Sequence, residues 1–254
     1  MDLTTLAILL VAGTVGGAIN AVAGGATFFT FPALLGIGLP PVTANASNAV
    51  ALWPGHAAAV PAYRREIAKA RHGLVWRGLV ALAGGAIGAQ LLLATGDRLF
   101  EALIPWLLLA ATLLFAFGPR LSRIVGSAEA RKAGRGLVLG LAVEFAFAVY
   151  GGYFGAGLGV LLMACLSLLG HDDLHEANAL KNLLATLVTA ASVGSFVLAG
   201  VIAWPETLVM IGGAIFGGYF GARAARSVGP GVLRAVIIAV GLMMSGYYFV
   251  TVSV

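Results

Sequence analysis

The sequence predicts an all-α polytopic membrane protein, built from about ten helical segments in two inverted five-helix repeats with short broken helices. Three observations support this fold class: an apolar composition, long runs without charge, and an internal repeat. Of the 254 residues, 60% are hydrophobic and only 10% are charged, whereas soluble domains carry roughly 25% charged residues. We therefore expect the lipid bilayer, rather than water, to surround most of the chain.

The charge-free runs define the predicted helical segments. No Asp, Glu, Lys or Arg occurs between Asp2 and Arg64, and a bilayer-spanning helix needs about 20 mostly apolar residues. Two predicted segments are too short to cross about 30 Å of hydrocarbon at about 1.5 Å per residue, which indicates broken helices. With Gly, Pro and charged residues as boundaries, the segments are 3–22, 24–38, 42–63, 74–95, 100–117, 135–154, 156–170, 174–200, 203–222 and 232–251.

The two short segments occupy matching places in two halves of the chain. Alignment of the chain with itself at an offset of 134 pairs Gly36 with Gly170 and Asn48 with Asn182. After loops of different length, "GGAIGAQ" matches "GGYFGAR" at an offset of 133. The nearly constant offset indicates an internal duplication, and an odd number of segments per copy makes the second copy inverted. Inverted repeats with glycine-interrupted helices are typical of secondary transporters.

The basic residues predict the orientation of these segments. Cytoplasmic loops collect Lys and Arg, and ten spans place 13 of the 15 basic residues on one side, with Arg98 opposite and Lys181 inside the membrane. We expect repeats at 1–118 and 135–254, a basic cytoplasmic linker at 119–134, and both termini on the non-cytoplasmic side. Because orientation accounts for the basic loops, we do not expect nucleic-acid binding, although clustered basic residues also suit phosphates.

Lys181 is the most unusual residue within the predicted spans. It lies about eight residues inside a helix that begins at Asp172 or Asp173, which is about 12 Å along the axis. A lysine at that depth costs roughly 2.5–3.5 kcal/mol unless it finds a partner, water or a ligand. The sequence leaves three roles open for Lys181: binding an anion, extending to the headgroups, or pairing with Glu144.

Neutral polar residues accompany this lysine. Asn and Ser supply neutral hydrogen-bond donors, and Lys supplies a positive charge with three donors. If the broken segments "NAVAGGA" and "GGYFGAGLG" also direct helix N-termini inward, they add positive partial charge. These features predict a binding site for a small anionic substrate, with hydrogen bonding between helices as the alternative role of the neutral residues. The candidate substrate-binding residues are Lys181, Asn182, Asn178, Asn48, Ser47, Asn45 and Asn20.

Two other ionisable residues lie deep within predicted spans. Glu144, in "LAVEFAFAV", is a candidate for proton coupling or the counter-ion of Lys181. His56, in "LWPGHAAAV", is a second candidate for proton coupling, with a packing role as the alternative. We expect no metal site, because His171 and His175 lack an HExxH pattern, and no cofactor. We also expect no enzymatic activity, since no GxSG-like serine accompanies His56.

The longest matching stretches resemble a known family of membrane proteins. They are "GGAINAVAGGATFFTFPALLGIGLPPVTANASNAVAL" and "GGYFGAGLGVLLMACLSLLGHDDLHEANALKNLLATL", and they are similar to the sulfite exporter TauE/SafE family, also called the toluenesulfonate uptake permease family. The resemblance implies a multi-pass transporter of the bacterial inner membrane that exports sulfite or an organosulfonate by alternating access.

Other functions remain compatible with the sequence. A passive anion channel and a transporter of another small organic anion are the alternatives to a sulfite exporter. The sequence leaves the anion, the direction of transport and the coupling ion open, and it is compatible with a homo-oligomer.

Overall fold

The computed structural model describes residues 1–22, 25–69, 73–125, 136–169, 173–221 and 230–252. Most of the predicted cytoplasmic linker, residues 126–134, lies outside this part of the chain. The described elements are α1 (Leu3–Val22), α2 (Thr27–Gly36), α3 (Pro41–Ala59), a 3₁₀ turn (Val60–Tyr63), α4 (Arg64–Lys69), α5 (Leu74–Val125), α6 (Gly136–Tyr153), α7 (Leu158–Leu168), α8 (Leu174–Ala199), α9 (Trp204–Phe216), a π-helical turn (Gly217–Gly221) and α10 (Pro230–Val252).

These elements confirm the all-α class. Four stretches of the described residues are long and apolar enough to cross a membrane, namely Leu3–Asn20, Leu74–Phe117, His175–Ala199 and Arg234–Thr251. The structure does not confirm a ten-helix inverted repeat, because nine helices in the described ranges have ten or more residues. The all-helical membrane protein is thus established, and the repeat stays a prediction.

The difference in helix number arises at Gly96. The predicted segments 74–95 and 100–117 both belong to α5, which bends where Gly96 adopts φ 70 and ψ 167. The charges of Asp97 and Arg98 suggested a loop, but the helix resumes directly after the glycine. An aspartate is favourable in the first turn of a helix, where it meets the positive end of the helix dipole. We call residues 74–95 the first arm of α5 and residues 97–125 the second arm.

The predicted short helices are present. α2 has 10 residues and α7 has 11, so each spans only about 15–17 Å. Glycines with left-handed backbone angles precede both helices: Gly25 (φ 91) before α2, and Gly155 (φ 79) and Gly157 (φ 75) before α7. Residues that have a Cβ rarely adopt this backbone conformation. These glycines therefore allow the chain to end one helix and begin another within the protein.

Two close helix crossings depend on glycine. A Cβ added at Gly13 of α1 would lie 2.5 Å from the carbonyl oxygen of Met210 in α9. A Cβ added at Gly84 of α5 would lie 2.5 Å from the Cβ of Ala148 in α6. In lipid, where no hydrophobic force drives helices together, such small residues permit the backbone contact that holds them.

The buried interior places α3 and α8 next to each other. Its larger cluster includes Phe31, Phe100 and Phe154, with ring centroids 5.4–6.3 Å apart. A smaller cluster joins α7 to the first half of α8 through residues such as Leu162 and Leu180. Trp53 of α3 donates its indole N–H to the carbonyl oxygen of Thr186 in α8 at 3.3 Å. The polar residues predicted from both halves are therefore carried by two neighbouring helices.

Candidate functional site

Asp173 determines where the helix that carries Lys181 begins. Its Oδ1 accepts hydrogen bonds from the backbone N–H of His175 at 2.8 Å and of Glu176 at 3.4 Å. These hydrogen bonds, first that of His175, hold the pKa of Asp173 below its usual range. The predicted start of the helix at Asp172 or Asp173 is therefore correct. Lys181 lies seven residues into α8, which places its Cα about 10 Å from the helix start.

Lys181 lies against the beginning of the broken helix α7. Its side chain is partly buried, and its Nζ donates a hydrogen bond to Asn178 Oδ1 at 3.0 Å. A Cβ added at Gly159, in the first turn of α7, would lie 3.7 Å from Lys181 Cδ. The ammonium group and the N-terminal end of α7 thus belong to one region of the protein. Both carry positive charge, and together they favour an anion.

The pairing of Lys181 with Glu144, one of the alternatives from the sequence, is wrong. Glu144 pairs with Arg77 of α5, whose Nε lies 3.8 Å from Glu144 Oε2. Within the described ranges, no carboxylate lies at ion-pair distance from the Lys181 ammonium. The reason is geometric: Glu144 lies on the face of α6 that crosses the first arm of α5, whereas Lys181 faces α7. The Lys181 side chain is therefore available to a partner other than Glu144.

His56 lies on the helix that packs against the helix of Lys181. It belongs to α3 and is partly buried, and α3 packs against α8. Asn20 at the end of α1 is also partly buried and faces α3, because a Cβ added at Gly55 would lie 3.8 Å from Asn20 Nδ2. The structure thus sets Asn20 beside the segment of α3 that carries His56, on a helix that packs against α8.

Asn45 and Ser47 are buried and join α3 to the second half of the chain. Asn45 Nδ2 donates to the carbonyl oxygen of Tyr153, the last residue of α6, at 2.9 Å. Ser47 Oγ accepts a hydrogen bond from the backbone N–H of Ala203 at 3.0 Å, directly before α9. Asn45 Oδ1 is buried and has no hydrogen-bond partner in the described part of the chain. These two predicted site residues therefore also connect helices.

Asn48 connects α3 to the broken helix α2. Its Nδ2 lies 3.5 Å from Thr27 Oγ1, and its Oδ1 accepts a short hydrogen bond from Thr30 Oγ1. The matching residue in the sequence repeat, Asn182, is partly buried on α8, and its backbone carbonyl accepts a hydrogen bond from Thr186 Oγ1 at 2.7 Å. The two asparagines thus have different local environments, although they occupy corresponding sequence positions.

Arg77 has a role that the sequence did not predict. It belongs to the predicted segment 74–95 and counts among the 13 basic residues of the cytoplasmic side, yet its side chain is 6% exposed and pairs with Glu144. The signal was present in "GLVWRGLV", where apolar residues flank the arginine on both sides. Three apolar residues before Arg77 already belong to α5, so the arginine lies one turn inside the helix.

Comparison with known proteins agrees with this architecture. The family model described as "Sulfite exporter TauE/SafE" matches residues 9–248. The chain belongs to the TauE/SafE family. This family is a family of membrane transporters, so the chain is a multi-pass membrane protein, in accordance with its apolar helices.

Curated TauE/SafE relatives cover almost the whole chain. A "Probable membrane transporter protein" of Haemophilus influenzae is 32% identical over 241 residues, which are 94% of this chain and 92% of that protein. A "Probable membrane transporter protein ORF9" of Sinorhizobium sp is 26% identical, with coverage of 94% and 90%. The Escherichia coli K12 "Probable membrane transporter protein YfcA" is 25% identical, with coverage of 94% and 88%. No solved structure matches the chain significantly.

Proposed function

We propose that the protein is a secondary transporter that exports a small sulfur-containing oxyanion, sulfite or an organosulfonate, by alternating access. Lys181 is the cationic group of the binding site. Asn178 and Asn182, one helical turn before and after the lysine, contribute amide groups to the bound anion. In this proposal the hydrogen bond between Lys181 and Asn178 is replaced in part by hydrogen bonds to the anion when the anion binds.

One observation carries the proposal: a partly buried lysine lies against the N-terminal turn of a broken helix. A helix N-terminus carries roughly half a positive charge and disfavours a nearby cation. The Lys181 side chain nevertheless lies next to Gly159, at the start of α7, with an amide oxygen as its observed hydrogen-bond partner. An anion between the ammonium group and the positive end of the α7 dipole would stabilise both positive features at once.

The polar face of α3 provides the other side of the proposed site. Asn45, Ser47 and Asn48 lie on the helix that packs against α8, and Asn20 is next to the same helix. Their hydrogen bonds tie α3 to α2, α6 and α9. A movement that opens the site would exchange these bonds for bonds to the anion or to water, which gives the residues both a structural and a binding role.

The contacts between helices support two inverted repeats at 1–118 and 135–254. α1 packs on α2 and α9, and α6 correspondingly packs on α7 and the first arm of α5. α3 and α8, which occupy the same place in the two repeats, pack on each other, as do α5 and α10. An exchange of partners of this kind is expected from a two-fold axis in the membrane plane, around which one bundle can move relative to the other.

The test begins with a lysine variant and a matched control. Purified Lys181→Gln should lose sulfite binding by about tenfold to more than a hundredfold, because a charged hydrogen bond contributes roughly 1.5–3 kcal/mol. Lys69→Gln removes the same charge from an exposed position at the end of α4 and should bind as the unmodified protein does. The measurement is a thermal-shift titration with sulfite, sulfate, thiosulfate, taurine and small carboxylates, since a ligand stabilises the state that binds it.

The outcomes separate the substrate, the site and the transport mode. Unchanged sulfite binding by Lys181→Gln would show that the lysine does not belong to the binding site. Stabilisation of the protein by a carboxylate and by no sulfur-containing anion would contradict the proposed substrate. Proteoliposomes loaded with unlabelled sulfite should accelerate the entry of labelled sulfite if the protein alternates access. Absence of this counterflow, with continued sulfite flux, would indicate a passive channel.

A further inference from the structure

The ion pair between Arg77 and Glu144 is buried but poorly satisfied. The two side chains are 6% and 1% exposed, and their closest charged atoms are 3.8 Å apart. Arg77 Nη1 and both carboxylate oxygens of Glu144 lack a hydrogen-bond partner in the described part of the chain. Burying two charges is costly unless close pairing and further hydrogen bonds repay the loss of water. This geometry is therefore a poor one for a purely stabilising contact.

The corresponding helix crossing in the other half, between α1 and α9, has no charged residues at the matching positions. Gly84 of α5 contacts Ala148 of α6, and Gly217 directly after α9 contacts Thr14 of α1 in the same manner. At the sequence offsets of 134 and 133, the positions of Glu144 and Arg77 correspond to Leu10 and Met210. Met210 is fully buried and Leu10 is 41% exposed, so the α1–α9 crossing forms without a buried charged pair. The crossing of α5 with α6 does not need an ion pair for its packing, which indicates another role for the two charges.

We propose that Arg77 and Glu144 form a proton-operated latch that closes the first arm of α5 onto α6. In the closed state the two charges neutralise each other. A proton that passes from water to a carboxylate oxygen of Glu144 changes the charge of the pair from zero to +1, while the guanidinium keeps its proton. The arginine then loses its anionic partner and turns toward water at the start of α5, one helical turn away, as long cationic side chains do.

This inference rests on the proposed function for what the latch controls, namely the passage of the anion. The elements packed against α6 are α5, α7 and α8. α5 contributes Arg77, and α7 contributes the buried thiol of Cys165, which contacts Gly140 of α6, one helical turn before Glu144. Within the described ranges no charged group of α8 forms an ion pair with Glu144. Protonation of Glu144 is therefore felt first by Arg77, and by the α5–α6 crossing that the pair joins.

Cys165 provides a natural probe of the latch. It is the only cysteine of the chain, it is buried, and its Sγ lies 3.7 Å from the carbonyl oxygen of Gly140 in α6. We would measure the rate at which N-ethylmaleimide labels it in purified protein in lipid nanodiscs at pH 7.5, without any anion substrate. An open crossing exposes the thiol, so faster labelling reports opening.

Three variants and one control decide the outcome. Glu144→Gln and Arg77→Gln both break the latch but change the local charge in opposite directions, so the charge alone cannot accelerate both. We expect each to label about tenfold faster or more, because a broken buried pair leaves an uncompensated polar or charged group. The double variant Arg77→Met/Glu144→Met replaces the ion pair by an apolar contact, so Cys165 should label slowly. Arg65→Met, at an exposed position in α4, should behave as the unmodified protein.

Labelling of both single variants at the unmodified rate would overturn the latch. Sulfite flux in proteoliposomes provides the second readout: the unmodified protein should depend on pH, and the double methionine variant should lose that dependence. A double variant with the original pH profile would also overturn the latch. Because labelling requires no anion, fast labelling of the single variants without sulfite flux by any form of the protein would support the latch and contradict the proposed substrate.

Discussion

At the residue scale, Asp173 controls the position of Lys181. The aspartate accepts two backbone N–H groups in the first turn of α8, where four such groups lack a partner within the helix. Fixing this first turn also fixes the rotation of the helix, and hence the side on which Lys181 and Asn178 emerge. A small exposed residue thereby supports the position of Lys181, about two helical turns away.

Replacement of Asp173 by Ala should therefore loosen the start of α8. We expect faster amide hydrogen exchange in the first turn and a thermal midpoint lower by a few degrees at neutral pH, because the variant lacks the N-cap. Folding lowers the pKa of Asp173, so its contribution is present above the unfolded pKa and disappears as the pH falls through the lowered value. The difference between the two proteins should shrink in acid, and Asp173→Asn should retain most of the cap.

The same scale shows which residues of the site could be predicted. Asn178 and Lys181 are three residues apart on one helix, so helical spacing alone places them together. The partner of Glu144 could not be predicted in this way, because Arg77 is distant in sequence and the crossing that joins them depends on glycine contacts. Arg77 also follows a loop rich in basic residues, where orientation already explains a positive charge.

At the element scale, glycine both interrupts helices and lets them touch. The sequence predicted the interruptions before α2 and α7 because Gly clusters there coincide with matching positions in the repeat. It did not predict that α5 continues after Gly96, since a glycine followed by two charges is typical of a loop. Val42 in the first turn of α3 donates its N–H to Asp97 Oδ1 at 2.8 Å, which shows a tertiary role for this bend.

Replacement by alanine should change the stability of the protein in opposite directions at two glycines that both lie within helices. A Cβ at Gly17 of α1 would overlap the carbonyl group of Ala214 in α9, whereas a Cβ at Gly212 of α9 meets nothing within 4 Å. We expect Gly17→Ala to destabilise the protein by about 1–3 kcal/mol through overpacking. Gly212→Ala should be neutral or stabilise it by up to about 1 kcal/mol.

Thermal unfolding of both variants in the same detergent measures this contrast. Equal midpoints for Gly17→Ala and Gly212→Ala would contradict a close α1–α9 crossing. A lower midpoint for Gly17→Ala alone would support backbone contact, through small residues, as the force that holds the two helices together.

At the scale of the whole molecule, the inverted repeat and the orientation form one hypothesis. The first arm of α5 has 22 residues and is about 33 Å long, so its two ends lie at opposite faces of the hydrocarbon core. Arg65 precedes this arm and Arg98 follows it, and both side chains are exposed. If most basic residues face the cytoplasm, Arg65 is cytoplasmic, Arg98 is not, and both termini share the side of Arg98.

Single cysteines in a Cys165→Ala background test this arrangement. An impermeant maleimide added to right-side-out spheroplasts should label Arg98→Cys and leave Arg65→Cys unlabelled, and inverted vesicles should give the opposite result. Asp2→Cys should be labelled in the same preparations as Arg98→Cys. In the ten-segment count the chain begins on the non-cytoplasmic side, and α1, α2 and α3 make three crossings that bring it to the cytoplasmic face before α4. Labelling of Asp2→Cys together with Arg65→Cys would contradict that count, since an inverted second repeat requires an odd number of crossings in the first.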